Sequence, residues 1–135
     1  LEGTFRPVWG IETGGGVAVQ FTRSPEDEKK LLNSPRVLAS WRASVPLLRG
    51  RLFVNPAVRY ISRRRGGYAT MVPSLLVADV TVSTERLHRN FDLVCGVRNL
   101  GGERWSDPMS EEHMGSTFPS AGRTAFVKLI WHAGE

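Results

Sequence analysis

The sequence predicts a mainly β fold with an α+β tendency. We expect a mostly antiparallel sheet, a sandwich or an open barrel of about six or seven strands with one or two short helices. Apolar residues alternate with polar ones at 17–22, 75–83 and 123–131, and this alternation is typical of strands. Turn signals separate the runs, and strands do not alternate with helices as they do in nucleotide-binding folds.

Domain organisation follows from the glycines near the start of the chain. Three consecutive glycines at 14–16, with Pro7 before them, predict an irregular arm or loop over residues 1–16. Residues 17–135 are then expected to form a single β-rich domain, because a chain of this length can fold around one core.

Two short helices are predicted in the first third of the chain. A Ser-Pro pair opens each, because serine caps free N–H groups and proline suits the first helical turn. The first helix is expected over residues 24–32. The second is expected over residues 34–44, where Val37, Leu38 and Trp41 follow helical spacing, with a strand as the alternative.

Strands are expected through the rest of the chain. The predicted segments are residues 51–54, 58–61, 68–72, 75–83, 91–97 and 123–131. A hairpin tip is predicted at Arg63 to Gly67, because Gly66 and Gly67 can supply the positive φ angles that tight hairpin turns need. Residues 103–122 are polar and are expected to form a loop.

Charge is distributed unevenly. The chain carries a formal net charge of +5, and no Asp or Glu occurs between Lys29 and Ala78, a segment that holds ten basic side chains. This polarity predicts a positive face that binds an anionic partner, either nucleic acid, RNA above all, or an anionic membrane surface. The predicted binding residues are Arg49, Arg51, Arg59, Arg63, Arg64 and Arg65.

Self-association is predicted from two other features. Trp9 and Trp105 lie in expected loops, where indole side chains suit a contact between proteins or with a membrane boundary. Glu111 and Glu112 form an acidic loop on a basic protein, and an acidic loop that meets a neighbour's basic face gives a head-to-tail contact. A homo-oligomer is therefore expected.

Catalysis is the alternative function. His88 or His113 with a nearby carboxylate could serve a small basic nuclease, although no motif specifies that chemistry. A further alternative is an adaptor that binds an acidic protein segment. The sequence predicts no cofactor and no metal site, because the histidines are scattered and Cys95 is the only cysteine.

These features together favour a non-enzymatic structural protein that self-assembles, in the manner of viral matrix and coat proteins by analogy of class alone. The single cysteine favours a reducing compartment, the cytoplasm or nucleus, with a peripheral membrane or virion location as the alternative. No apolar run reaches the length of a transmembrane helix, and no signal peptide is recognisable.

Overall fold

One antiparallel sheet of seven strands dominates the computed structural model, which describes residues 1–7, 9–21, 34–65, 71–85, 90–108, 117–119 and 122–133. The mainly β class is confirmed. The strands are β1 (Glu2–Phe5), β2 (Glu12–Val19), β3 (Val37–Leu47), β4 (Leu52–Ile61), β5 (Arg64–Arg65), β6 (Met71–Val72), β7 (Leu75–Thr84), β8 (Phe91–Arg98), β9 (Ser106–Pro108), β10 (Thr117–Pro119) and β11 (Thr124–Trp131).

The sheet is a meander in the order β1-β2-β3-β4-β7-β8-β11, and every neighbouring pair is antiparallel. The other four strands form two small pairs, β5 with β6 and β9 with β10. Each small pair belongs to a connection between two strands of the sheet, so the seven sheet strands follow one another up and down without a crossover.

Short and long connections alternate between the two ends of the sheet. Residues 6–11, 48–51 and 85–90 are the short connections, and we call their end the turn end. Residues 20–36, 62–74 and 99–123 are the long connections, and we call theirs the loop end. The two ends therefore differ in how much chain they carry.

Burial is concentrated at the loop end. The buried apolar side chains among the described residues include Val72, Leu75 and Val77, with 4 to 7% of their surface exposed. Two polar residues are also buried at this end: Arg64, in β5, and Asn99, directly after β8. Most of the sheet is instead half-buried or exposed.

Several predicted elements differ from the structure. Residues 1–16 were expected to be irregular, but β1 and most of β2 lie there, because β2 pairs with β1 on one side and β3 on the other. The predicted domain boundary after residue 16 falls within β2, and the division into domains stays a prediction. The helix predicted over 34–44 is wrong, since Val37–Leu47 is a strand. The helix predicted over 24–32 lies outside the described residues.

Candidate functional site: a sheet with one charge-free face

Cross-strand register shows which side chains share a face of the sheet. Directly paired residues in an antiparallel sheet project to the same side. Trp41 pairs with Gly15 and Val58, and Val80 pairs with Val97, so these residues lie on one side. We call this side the apolar face. It consists of the odd-numbered residues of β1, β2, β3, β8 and β11 and the even-numbered residues of β4 and β7.

No charged side chain lies on the apolar face of these seven strands. Its polar side chains are few, such as Thr13, Tyr60 and Thr84, and the remainder are almost all aliphatic, aromatic or glycine. The opposite side, which we call the polar face, holds every charged residue of the seven strands. Those residues are Glu2, Glu12, Arg42, Arg59, Asp79, Asp92, Arg98 and Lys128.

No described residue outside the sheet covers the exposed side chains of the apolar face. Leu76 lies on the central strand β7 and is nevertheless 60% exposed. Val127, Leu129 and Trp131 follow one another along β11 and are 63 to 74% exposed. Soluble monomers rarely expose contiguous apolar surface across seven strands, so this face is built to contact something other than water.

On the apolar face, the polar groups of Trp41, Thr13 and Thr84 bond to one another or to the backbone. The Trp41 Nε1–H donates to Thr13 Oγ1 at 2.9 Å, and the Thr13 hydroxyl donates to the Arg42 carbonyl at 3.2 Å. Thr84 Oγ1 accepts the Leu93 N–H at 2.9 Å and lies 3.4 Å from the Leu93 carbonyl. These groups are therefore satisfied without water, which an apolar environment requires.

Two glycines accept large aromatic rings across the sheet. A Cβ at Gly15 would lie 2.8 Å from the Ser40 carbonyl and 3.6 Å from the Trp41 indole, so the ring rests on this strand where a side chain is missing. On the polar face, a Cβ at Gly96 would lie 2.9 Å from the Phe126 ring. Aromatic rings that cover strand glycines hold the register of neighbouring strands.

Hydrogen bonds tie the start of a long connection to the polar face. Asp79 Oδ1 on β7 accepts the Asn99 N–H at 2.7 Å. The Asn99 side chain in turn bonds both ways with the Glu103 backbone, at 2.7 and 3.0 Å. Asn99 has a positive φ of 54°, a conformation that asparagine tolerates better than most residues. The chain after β8 is therefore fixed at the loop end, where β6 also contacts β9.

The predicted binding arginines are not gathered in one place. Arg49 and Arg51 lie at the turn end, whereas Arg63, Arg64 and Arg65 lie at the loop end. Strand β4 separates the two groups by roughly 30 Å at about 3.3 Å per residue. Arg59 lies on the polar face, with its Nη2 3.9 Å from Asp79 Oδ2, and Arg64 is buried. The single basic patch is therefore not formed, and a binding role for these residues stays a prediction.

The other predicted site residues are scattered or undescribed. Trp9 is 85% exposed in the short connection 6–11, at the turn end. Trp105 is half-buried at the loop end. The residues His88, Glu111, Glu112 and His113 lie outside the described part of the chain, so the nuclease and self-association sites built on them stay predictions.

Clusters of metal ligands and membrane-spanning helices are both absent from the described residues. Among the described residues, no three His, Cys, Asp or Glu side chains lie together where they could hold a metal ion. No helix in the described ranges is long and apolar enough to cross a membrane.

Sequence reasoning missed the apolar face, although its signal is present in the printed residues. The alternation in Ala125, Val127, Leu129 and Trp131 is visible in one strand. The informative pattern is that every charged residue of the seven strands projects to the same side of the sheet. This becomes visible only when the cross-strand register is known.

Comparisons with known proteins show similarity of fold. The chain resembles the ferric-catecholate import receptor Fiu from Escherichia coli K12 in its closed form, with a TM-score of 0.71 and 17% identity over 91% of this chain. It also resembles the siderophore receptor PiuA from Acinetobacter baumannii, with a TM-score of 0.67 and 20% identity over 96% of this chain. The chain spans 19 and 20% of the lengths of those two proteins. No family model and no curated protein matches the sequence.

These similarities correct the predicted function. The viral matrix or coat assignment is wrong, and so are the predicted RNA or anionic-surface partner and the homo-oligomer. The predicted cytoplasmic or nuclear location is also wrong. The uneven distribution of charge along the sequence misled the prediction, because the arginines that suggested an anionic partner are distributed between both ends of a sheet whose fold is similar to that of siderophore receptors.

Proposed function

We propose that this chain forms part of the membrane-spanning wall of a bacterial outer-membrane receptor that imports ferric siderophores. The observation that carries the proposal is the charge-free apolar face, which continues across all seven strands of the sheet. The similarity of fold to two siderophore receptors supports it, and the fivefold greater length of those proteins supports a role as one segment of a larger receptor.

The dimensions of the strands suit a bilayer. A membrane-spanning strand needs about 9–11 tilted residues, and the inner strands β3, β4 and β7 have 11, 10 and 10. From Leu52 to Tyr60, the apolar face of β4 extends roughly 26 Å along the strand at about 3.3 Å per residue. Strands of outer-membrane barrels tilt by about 35–45°, so this length spans roughly 20 Å along the membrane normal, somewhat less than the apolar band of about 25 Å.

Chemistry on the apolar face suits hydrocarbon. A charged side chain in a bilayer is costly, and this face has none. An unsatisfied polar group is also costly there, and the polar atoms of Trp41, Thr13 and Thr84 bond within the sheet. Lipid chains therefore replace the covering layer of protein that a soluble sheet would need.

The connections give the proposed orientation. Outer-membrane barrels have short turns on the periplasmic side and longer loops on the outer side. The turn end of this sheet then faces the periplasm, and the loop end faces the medium. Charged residues on the polar face point into the interior of the receptor, where an imported ferric siderophore would pass. The proposal includes no catalytic step.

Growth on a single iron source tests the proposal. A bacterium that lacks its own ferric-catecholate receptors is given the full-length protein that contains this segment, with ferric catecholate as its only iron source. We expect growth to be restored, and a Val80→Arg variant, which places a charge on the apolar face, to restore it poorly. A protein that fractionates with the outer membrane yet supports growth on no ferric siderophore would disprove the import function.

A further inference from the structure

A cleft of about 300 Å³ opens on the polar face over β2. Two rows of paired residues build it. One row runs from Glu2 through Gly16 and Ser40 to Arg59, and each step joins direct cross-strand partners. Within this row, the small side chain of Ser40 lines the cleft, and the long charged side chains of Glu2 and Arg59 stand at the two ends.

A second row lies beside the first, with Arg42 at one end and the shorter, uncharged Thr4 at the other. Thr4 pairs with Gly14, and Gly14 pairs with Arg42. A Cβ at Gly14 would have its nearest neighbours, atoms of Gly3 and Thr4, at 3.5 Å or more. The missing side chain therefore leaves space at the bottom of the cleft. Adjacent strands lie about 4.8 Å apart, so three steps separate the Cα atoms of Glu2 and Arg59 by roughly 14 Å.

The walls of the cleft carry opposite charges. Arg42 and Arg59 occupy diagonal positions on β3 and β4, about 7–8 Å apart at their backbones, and both can turn a guanidinium toward the space between them. Glu2 is exposed on the opposite wall. The Ser40 hydroxyl position lies on the floor between the walls, where it can donate or accept a hydrogen bond.

The ion pair between Asp79 and Arg59 is weak, so Asp79 would compete little with a bound anion for Arg59. Its Oδ2 lies 3.9 Å from Arg59 Nη2, the long limit of an ion pair, and the Arg59 side chain is 61% exposed. The other carboxylate oxygen, Oδ1, is held by the Asn99 N–H at 2.7 Å. The geometry leaves Arg59 able to turn toward an incoming anionic group while Asp79 stays in place.

We propose that this cleft binds a small dipolar molecule of the ω-amino acid class. Its carboxylate lies between Arg42 and Arg59, because guanidinium groups bind carboxylates through paired N–H donors. Its ammonium group lies against Glu2, and its short aliphatic chain crosses the Gly14 and Ser40 floor. The proposal stands on the cleft alone and does not depend on siderophore import, so each can fail without the other.

Calorimetric titration of the full-length protein in detergent micelles tests the site with three probes of matched length. We expect 6-aminohexanoate to bind with a dissociation constant on the order of 1 mM, as its few non-hydrogen atoms allow. Hexanoate and hexylamine each lack one charge, and we expect them to bind about fivefold more weakly. Equal binding of all three probes, or binding of none, would overturn the proposal.

Substitutions locate the site and assign each end of the probe. Arg59→Gln is expected to weaken 6-aminohexanoate about fivefold, and Glu2→Gln to remove the preference for 6-aminohexanoate over hexanoate. Lys128→Gln changes a charge on the same face five strands away from β2, and we expect no effect. Equal weakening by Lys128→Gln would show a general charge effect and overturn the site.

A fourth variant is expected to strengthen binding rather than weaken it. Loss of folding could not produce that result. Asp79→Asn keeps an oxygen to accept the Asn99 N–H and removes the negative charge beside Arg59. We expect it to strengthen binding of hexanoate about threefold, because exposed charge pairs have effects of this order. An unchanged affinity for hexanoate would show that Arg59 does not hold the carboxylate.

Discussion

Gly15 shows how a single missing side chain decides local structure. It pairs directly with Trp41, whose indole lies over the strand and reaches Thr13 on the same face. Glycine is usually unfavourable inside a strand, because it loses more conformational freedom than other residues on folding. Here the indole covers the position, so a run of three glycines that predicted an irregular segment belongs to a paired strand.

Substitution of this glycine has a direct neighbour as its control. Gly15→Ala places a Cβ 2.8 Å from the Ser40 carbonyl, so we expect it to lower the free energy of unfolding by about 1–3 kcal/mol. Gly14→Ala meets its nearest atom at 3.5 Å and should be close to neutral. Urea unfolding of both variants measures the difference. Equal stability of the two variants would show that the close contact at Gly15 is unimportant.

The position of each charged residue in space decides whether a basic patch forms, and the sequence did not reveal these positions. The acid-free segment between Lys29 and Ala78 was read correctly from the sequence, but it includes β3 and β4 and reaches both ends of the sheet. A strand extends about 3.3 Å per residue, so bases that are close in sequence become distant in space. A helix would have kept them closer together.

At the scale of elements, the strands predicted at 75–83 and 123–131 agree with β7 and β11 to within one residue, whereas β3 was predicted as a helix and β2 was placed several residues too late. Val37 and Trp41 are four residues apart, and this spacing fits both one turn of a helix and one face of a strand. The structure places both on the apolar face of β3, with Leu38 between them on the polar face. Only pairing with β2 and β4 separates the two interpretations, and pairing is not visible in a short segment.

Neighbouring residues of β7 test the assignment of the two faces. Val80→Arg places a charge on the apolar face near the middle of the strand, and we expect it to destabilise the protein folded in bilayers by about 2–4 kcal/mol. Thr81→Arg puts the same side chain on the polar face, where we expect less than about half that effect. Urea titration of folding into lipid vesicles measures both.

A result in which Thr81→Arg costs as much as Val80→Arg would contradict the assignment. It would place both faces in the same kind of environment, either buried protein or water. The pair is matched because the two residues are adjacent in one inner strand, are similar in size and project to opposite sides of the sheet.

At the scale of the whole molecule, the sequence gives the class of fold but not the surroundings of the sheet. A soluble sheet buries its apolar face against a second layer, whereas this sheet has none among the described residues that could cover it. Each strand alone is compatible with either case. The distinction depends on register across seven strands and on the alternation of short and long connections, which are properties of the assembled molecule.

Lipid exposure along β7 is the most direct measure of the central claim. Single spin labels are placed from Ala78 to Val82 in a Cys95→Ala background, with the full-length protein in lipid bilayers. We expect oxygen, which concentrates in lipid, to reach the even-numbered positions and a water-soluble relaxation agent to reach the odd-numbered ones. Loss of this alternation, or a water-soluble agent reaching the even-numbered positions, would contradict a membrane-facing apolar surface.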